Sequence, residues 1–295
     1  MRFIRYTNAT GITLGVCRGD EVVDLAVAAP DLPRDLPTLL ALGASGSALV
    51  QSAIERAPAR AVRTRAEIKA LVPIAQPEKI ICIGLNYTEH IKEAPTPQEV
   101  PSYPVTFLRT AGTLIAHGEP LRQPRCSDQF DFEGELACVI GTRARNVSKA
   151  NALAHVGGYA LFNDASVRDY QFKSHQWTMG KNFDATGAFG PELVTADELP
   201  PGARGLTLIT KLNGQTVQSA STNDLIFDIA TLISELSVAM TLVPGDVIVT
   251  GTPSGVGIGR KPPLWMKHGD VCTVGVDGVG LLSNPVVDDE IDAAA

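Results

Sequence analysis

Two glutamates separated by a single glycine are the sharpest chemical feature of the sequence. Glu133 and Glu135 flank Gly134 within an apolar stretch that is typical of a buried strand. Because side chains alternate between the two faces of a strand, both carboxylates are expected to point to one side. Neighbouring carboxylates repel each other and resist burial, and a divalent cation would relieve both problems. A solvated edge strand is the alternative interpretation of the same spacing.

A third carboxylate ends another apolar segment. Asp164 closes the run 158–164, so it can converge with Glu133 and Glu135 at one place in a sheet. Hard cations prefer oxygen ligands, and three carboxylates without a thiolate favour magnesium, manganese or calcium over zinc or copper. The residues therefore predict a site for one of these three metals.

Two further residue patterns suit acid–base chemistry. His90 and Glu93 are three positions apart, so on a helical turn Glu93 can orient the imidazole and raise its basicity. An incidental pair on a surface helix is the alternative. Lys181 stands among glycines and apolar residues, which suits a buried cation near an anionic ligand. An exposed lysine at the end of a strand is the commoner occurrence.

Two other possibilities find no support in the sequence. The glycine-rich segment 255–260 has no Gly-Lys-Ser/Thr ending and no helix pattern after it, so it is not a nucleotide-binding loop. No Gly-x-Ser-x-Gly elbow occurs, and neither Ser254 nor any cysteine has a recognisable activating partner.

The elements that must position these residues fall into two predicted domains. A Pro/Ala-rich stretch that runs to Pro77 separates a small N-terminal α+β domain, 1–75, from a catalytic domain, 76–295. Turn residues and hydrophobic spacing predict N-terminal strands at 2–6, 13–17 and 21–24, and helices at 36–42 and 49–55.

The second domain reads as many short strands with few long helices. Asn213-Gly214 predicts a tight hairpin, and hydrophobic spacing predicts a helix over 225–236, capped by Asn223 or Asp224. This pattern of many short strands and few long helices favours a mixed α/β, β-rich fold with a barrel or a rolled sheet. Further strands are predicted at 79–84, 104–108, 131–140, 158–164, 247–250 and 271–276.

Composition excludes several classes of protein. The chain has 295 residues, 44% of them hydrophobic, and a net charge of −7, which argues against a disordered chain and against nucleic acid as a partner. No apolar run is long enough to span a membrane, and the first residues lack a signal-peptide core. Five widely spaced cysteines without a Cys-x-x-Cys pair predict reduced thiols and a cytoplasmic protein.

Over residues 79–287 the order of motifs resembles the fumarylacetoacetate hydrolase family, whose bacterial members include acylpyruvate hydrolases and 2-hydroxyhepta-2,4-diene-1,7-dioate isomerases. The matching segments are Gly84-Leu85-Asn86-Tyr87 with His90 and Glu93, Asp131-Phe132-Glu133-Gly134-Glu135, Asn163-Asp164, Gly180-Lys181-Asn182-Phe183-Asp184, Asn213-Gly214 with Gln218, and Gly251-Thr252-Pro253-Ser254-Gly255.

The resemblance implies a rolled, barrel-like sheet, a homodimer, and Mg²⁺ or Mn²⁺ as cofactor, with Ca²⁺ as a substitute in crystals. It assigns the metal to Glu133, Glu135 and Asp164. It assigns catalysis to His90 and Glu93, carried on a lid over 86–104, and to Lys181. Substrate contacts are expected at Gln171, at Thr252 and at Arg109, which stands where the family often has lysine.

These assignments lead to one main functional hypothesis and two alternatives. The main hypothesis is metal-dependent hydrolysis of a carbon–carbon bond in a 1,3-dioxo acid of the acylpyruvate or fumarylpyruvate type, in the breakdown of aromatic compounds. His90, oriented by Glu93, would activate water, and Lys181 would stabilise the enolate. The alternative on the same site is oxaloacetate-type decarboxylation or isomerisation of a 2-hydroxydienoate. A keto-acid-binding protein without turnover is the rival from another class.

Overall fold

Two large sheets organise the chain. The computed structural model describes residues 1–9, 11–93 and 99–289. Within those residues the strands are β1 (Arg2–Asn8), β2 (Gly11–Arg18), β3 (Glu21–Asp24), β4 (Val62–Thr64), β5 (Ala70–Leu71), β6 (Ile80–Gly84), β7 (Val105–Arg109), β8 (Leu114–Ile115), β9 (Leu121–Gln123), β10 (Phe130–Asp131), β11 (Gly134–Ile140), β12 (Val156–Asp164), β13 (Ser166–Val167), β14 (Gly187–Thr195), β15 (Thr207–Leu212), β16 (Gln215–Ser221), β17 (Val247–Val249), β18 (Val271–Val276) and β19 (Gly280–Asp288).

The helices are short and lie between the strands. The longest are α3 and α8, and the catalytic candidates sit on or beside single-turn helices. In the described part of the chain they are α1 (Leu25–Ala28), α2 (Leu36–Ala41), α3 (Gly43–Glu55), α4 (Thr88–Ile91), α5 (Lys149–Ala152), α6 (Arg168–Gln171), α7 (Thr178–Lys181) and α8 (Ile229–Ala239). None of them combines the length and the apolarity that a membrane crossing needs.

The strands form a mixed sheet of twelve and an open sheet of five. The larger has the order β4-β3-β2-β1-β14-β12-β11-β17-β6-β7, with β5 beside β1 and β8 beside β14. The smaller has the order β16-β15-β18-β19-β9, and β10 pairs with β13. The predicted β-rich α/β class is confirmed, and the sheets are rolled without closing into barrels.

Strand β11 is buried on both faces, which fixes where its glutamates point. Leu136 and Cys138 join a hydrophobic cluster that contains the inner face of the five-stranded sheet. Ala137 and Val139 join a second cluster, which contains Phe3 and other residues of the N-terminal segment. Alternation therefore sends Glu133 and Glu135 to the side of the second cluster.

The predicted boundary at residue 75 runs through a continuous sheet. Strand β1 pairs with β14, with Phe3 opposite Leu193, and β5 pairs with β1. The division into a small N-terminal domain and a catalytic domain stays a prediction. The two segments share hydrogen bonds and one hydrophobic cluster.

The predicted hairpin is confirmed, whereas the predicted N-cap of helix α8 is wrong. Asn213 and Gly214 both have positive φ and join the antiparallel strands β15 and β16, as the Asn-Gly pair predicts. Helix α8 begins later than expected, and Asp228 caps it by accepting a hydrogen bond from Thr231 N. Asp224 instead closes a single turn with Ser221 in a capping box. Five candidate capping residues compete over 221–228, and hydrophobic spacing alone does not choose among them.

Candidate active site

The three predicted metal carboxylates meet at one end of the β11–β12 pair. Gly134 lies opposite Asn163, and Asp164 N donates a 2.8 Å hydrogen bond to Glu133 O, so the antiparallel register places these residues side by side. One oxygen from each of Glu133, Glu135 and Asp164 lies within 4.8 Å of the other two. All three side chains are buried. The solvated-edge interpretation of Glu133 and Glu135 is therefore wrong.

Three buried cations surround the carboxylates. Lys181 Nζ lies 2.6 Å from Glu133 Oε2 and 2.7 Å from Asp164 Oδ2. Arg168 Nη1 lies 2.6 Å from Glu133 Oε1, and Arg109 Nη1 lies 2.5 Å from Asp164 Oδ1. Both oxygens of Glu133 and both oxygens of Asp164 thus have cationic partners. Lys181 is a buried cation, and not the exposed lysine of the alternative interpretation.

Glu135 differs from its two neighbours because it has no cationic partner in an ion pair among the described residues. Its Oε2 accepts a 2.5 Å hydrogen bond from Gly251 N. Burial, followed by the charges of Asp164 and Glu133, raises the pKa of Glu135 well above its usual value. Glu133 shows the opposite shift. Burial opposes its ionisation, but Lys181 and Arg168 outweigh burial and lower the pKa of Glu133 to about 2.

A cavity of about 550 Å³ opens onto this cluster. Carboxylates and cations form one part of its wall, and apolar and aromatic side chains form the rest. The lining residues are Ile83, Gly84, Leu85, His90, Glu93, Phe107, Glu133, Glu135, Arg168, Gln171, Phe172, Ser174, His175, Trp177, Lys181, Thr252, Val256 and Ile258.

His90 and Glu93 form the predicted pair at this cavity. His90 Nδ1 lies 3.3 Å from Glu93 Oε2, and the two side chains are 16% and 22% exposed. Glu93 Oε1 also accepts a 2.7 Å hydrogen bond from Gly255 N. With Nδ1 engaged by Glu93, the second ring nitrogen of His90 is left for a substrate or water. The predicted lid over 86–104 lies partly outside the described residues, since 94–98 are not among them.

Two of the three predicted substrate contacts also line the cavity. Gln171 is buried and accepts a 2.8 Å hydrogen bond from Arg168 Nη1. Thr252 Oγ1 donates to Gly134 O at 3.1 Å and accepts from Gln218 Nε2 at 2.8 Å. Their contact with a substrate stays a prediction.

The structure places Arg109 differently from the expectation. Arg109 does not line the cavity. Its guanidinium donates hydrogen bonds to Asp164, to Thr186 Oγ1 and to the carbonyl of Ala165. This placement does not support a substrate contact. Arg109 ends β7, the edge strand that pairs antiparallel with β6, and its guanidinium is fully buried against Asp164. Its position supports a structural role toward Asp164.

Two charged residues of the site were not singled out from the sequence. Arg168 links Glu133 to Asp131, whose Oδ2 lies 2.8 Å from Arg168 Nε. The remaining nitrogen, Arg168 Nη2, is buried without a hydrogen-bond partner among the described residues. Arg168 precedes Gln171 by three positions on α6, and this spacing on one helical turn was the available signal for Arg168.

The donor set fits a divalent cation of the oxygen-preferring class. Three carboxylate oxygens converge, no thiolate is present in the group, and Glu135 has no cationic partner in an ion pair among the described residues. Lys181 already shows that a cation is favoured between Glu133 and Asp164. Glu133, Glu135 and Asp164 are thus the residues that would hold such an ion, and the chemistry does not choose between magnesium and manganese.

Comparison with known proteins identifies relatives of nearly the same length. The mitochondrial oxaloacetate tautomerase of Xenopus laevis is 39% identical over 293 residues, covering 97% of this chain and 90% of that protein. A human mitochondrial oxaloacetate tautomerase is 36% identical over 271 residues, covering 91% of this chain and 85% of that protein.

Both relatives are mitochondrial, which contradicts the prediction of a cytoplasmic protein. All five cysteines are free, but free thiols indicate a reducing environment and do not distinguish between reducing compartments.

Solved structures and a family model agree with these relatives. A fumarylacetoacetate hydrolase from Exiguobacterium antarcticum superposes with a TM-score of 0.83 at 32% identity, covering 98% of this chain and all of that one. A maleylpyruvate hydrolase from Sphingobium sp. SYK-6, solved with manganese(II) and pyruvate, gives 0.80 at 29% identity, with the same coverage. The model of the fumarylacetoacetate hydrolase C-terminal domain matches residues 79–287. The chain therefore belongs to the fumarylacetoacetate hydrolase family.

Proposed function

We propose that this protein is a divalent-metal-dependent tautomerase that interconverts the enol and keto forms of a 2-keto dicarboxylic acid such as oxaloacetate. The observation that carries the proposal is the buried triad Glu133, Glu135 and Asp164, with Lys181 and Arg168 beside it in one cavity. The oxaloacetate tautomerases among the relatives support this choice of reaction. The cofactor is Mg²⁺ or Mn²⁺, and manganese in the Sphingobium structure supports this class of ion.

The charges around the cavity suit an anionic substrate. A bound divalent ion would supply a Lewis acid that polarises adjacent substrate oxygens. Arg168 Nη2 is a buried donor without a hydrogen-bond partner among the described residues, and such a donor is expected to bind a carboxylate or an enolate oxygen. Lys181 stabilises negative charge on the substrate oxygens as the proton leaves.

His90 moves the proton. Tautomerisation removes a proton from the enol oxygen and adds one to the neighbouring carbon, so the reaction needs neither water nor an oxidant. With Nδ1 of His90 directed to Glu93, Nε2 accepts the first proton and returns one to the carbon. Gln171 and Thr252, which both line the cavity, contact the substrate's remaining oxygens in this proposal.

Hydrolysis of an acylpyruvate-type carbon–carbon bond is the second candidate. The His90–Glu93 pair favours it, because an imidazole oriented by a carboxylate can also activate water. The maleylpyruvate hydrolase from Sphingobium supports the same possibility, and with it a place in the breakdown of aromatic compounds. Decarboxylation of oxaloacetate is the third outcome that the same residues allow. Assembly as a homodimer, and the absence of nucleic acid and membrane partners, stay predictions.

One set of assays separates these reactions. The protein, freed of metal with EDTA and reloaded with Mn²⁺, is given enol oxaloacetate, and loss of the enol absorbance is followed together with formation of pyruvate. Tautomerisation gives fast loss of the enol without pyruvate, whereas decarboxylation releases pyruvate. An acylpyruvate and fumarylpyruvate, tested in parallel, report hydrolysis by yielding pyruvate and a second acid. Glu135→Gln is the control, and activity that survives it would exclude the metal site as the source.

A further inference from the structure

The glycine-rich turn over 255–259 binds two carboxylates of the protein itself. Gly255 N donates to Glu93 Oε1 at 2.7 Å. Gly257 N donates to Asp131 Oδ1 at 2.7 Å, and Ile258 N donates to Asp131 Oδ2 at 3.0 Å. Backbone N–H groups in such turns form concave anion-binding surfaces. Here the anions are side chains, so the turn joins Glu93 in the cavity wall to Asp131 behind it, 38 positions apart in sequence (131 against 93).

The glycines are needed because neighbouring groups pack directly on the turn. A Cβ atom at position 257 would overlap Leu264 O and would lie 2.6 Å from Asp131 Oδ1. Gly255 has a φ of +103°, a conformation that residues with a side chain rarely adopt. A Cβ atom at position 259 would lie 2.9 Å from Glu93 Cβ. The turn therefore has little freedom to move without moving Asp131 or Glu93.

Asp131 anchors this turn from inside the protein. It is fully buried, and its two oxygens accept hydrogen bonds from Gly257 N, Ile258 N and Phe132 N and bind Arg168 Nε. Arg260 holds the turn from the outer side, with Nε donating to Gly255 O at 3.0 Å and Nη2 donating to Val217 O at 2.6 Å. Asp131 does not line the cavity, so any effect on chemistry must act through the groups it holds.

We propose that Asp131 and the turn 255–259 are positioning elements that hold the imidazole of His90 in a single tautomer. Hydrogen bonds join Asp131 to Gly257 and Ile258, the backbone of the turn continues to Gly255, and a hydrogen bond joins Gly255 to Glu93. Glu93 then has one oxygen fixed by the backbone, and its other oxygen faces His90 Nδ1. A fixed carboxylate keeps the proton on Nδ1 and leaves Nε2 unprotonated. The inference rests on the proposed function only in giving His90 the proton-moving role.

Nitrogen-15 NMR of the histidine side chains tests this without measuring turnover. The chain has five histidines, and His90→Gln assigns the His90 signals in metal-free protein at a pH where the imidazole is neutral. The wild type is expected to show His90 in the Nδ1–H form. Asp131→Asn is expected to shift the signals toward the mixture of tautomers that a solvated imidazole shows. Unchanged His90 signals in a folded Asp131→Asn protein would overturn the proposal.

A second test variant and a control variant complete the experiment. Arg260→Met loosens the turn without leaving a buried charge, so it is expected to fold and to give a smaller shift in the same direction. If Asp131→Asn does not fold, an unchanged His90 signal in Arg260→Met overturns the proposal instead. Asp270→Asn is the matched control, because Asp270 is also a buried aspartate that caps a turn through Lys267 N. It is expected to leave the His90 signals unchanged.

Kinetics then separate this inference from the proposed reaction. If oxaloacetate is turned over, Asp131→Asn is expected to lower kcat about 10-fold with little change in KM, as loss of an oriented base does. In a Glu93→Gln background, Asp131→Asn is expected to lower kcat by less than about 2-fold. Both substitutions disturb the same chain of contacts from Asp131 through the turn to Glu93, so their effects are not additive. An equal loss of kcat in both backgrounds would show that Asp131 does not act through Glu93. A tautomer shift without turnover would instead keep this chain of contacts and reject the reaction.

Discussion

Lys181 Nζ lies 2.6 Å from Glu133 Oε2, so a buried ammonium is paired with one of the carboxylates predicted to hold the divalent ion. The same ammonium lies 2.7 Å from Asp164 Oδ2. Two cations therefore compete for neighbouring oxygens in a buried site, where charges are poorly screened. The metal affinity and the stability of the metal-free protein are consequently linked through Lys181.

Replacing Lys181 with methionine is expected to affect stability and metal binding in opposite directions. In EDTA, Lys181→Met removes one of the two cationic partners of Glu133 and of Asp164, and loss of one partner of a buried ion pair typically costs about 3–5 kcal/mol. Mn²⁺ binding is expected to tighten, because repulsion between the ion and the ammonium is gone. Thermal unfolding with and without Mn²⁺, and calorimetric titration, measure the two effects. Weaker Mn²⁺ binding in a folded variant would contradict the competition.

Replacing Glu135 with glutamine is expected to remove metal binding without weakening the metal-free protein. Burial and the neighbouring carboxylates raise the pKa of Glu135, so its ionised form is unfavourable in the fold. A neutral amide removes that penalty, and the unfolding temperature in EDTA is expected to equal or exceed the wild-type value. Loss of one of three protein ligands is expected to weaken Mn²⁺ binding by more than about 100-fold, beyond the 10–100-fold effect typical of outer-shell changes. Glu119→Gln, at a partly exposed carboxylate that pairs with Lys69, is the control for the substitution itself.

Metal binding is expected to strengthen with rising pH. The pKa of Glu133 is about 2, so this residue is already ionised when Mn²⁺ arrives. The raised pKa of Glu135 means that a proton must leave it before the ion binds. Below that pKa, the affinity for Mn²⁺ should increase about 10-fold per pH unit, which corresponds to one released proton. Titrations in buffers with different ionisation enthalpies count that proton, and a count of zero would rule out this linkage.

Arg109 is expected to influence stability far more than substrate affinity. Its guanidinium is buried and binds Asp164 Oδ1, so Arg109→Met is expected to lower the free energy of unfolding by about 3 kcal/mol or more. Arg109→Lys keeps the charge, and is expected to leave KM within a factor of two. Chemical denaturation and steady-state kinetics test these expectations. A large rise in KM in Arg109→Lys, at wild-type stability, would restore the substrate contact that the sequence suggested.

The convergence of the three carboxylates was predictable because their geometry follows from strand alternation. Glu133 and Glu135 had to share a side of β11, and Asp164 closes the neighbouring strand β12. The His90–Glu93 contact was predictable for a similar reason, since three positions form one helical turn. In each case the spacing within a few residues carries the information.

Contacts between distant segments were not predictable in the same way. Arg109 reaches Asp164 across 55 positions, and Asp131 reaches Gly257 across 126. Such contacts depend on the order of strands in the sheet, which local spacing does not encode. The resemblance accordingly offered Arg109 as a substrate contact, and nothing in the sequence assigned the turn 255–259 a role in holding Glu93 or Asp131.

The pairing of β1 with β14 has a consequence for how the chain acquires its structure during synthesis. Phe3 lies opposite Leu193, so β1 can reach this neighbour in the large sheet only after the residues of β14, Gly187–Thr195, have been synthesised. Until then β1 has only its local partners, and such long-range pairings form slowly. An unpaired strand edge invites association with other chains. Nascent chains that stop short of β14 are therefore expected to depend on chaperones.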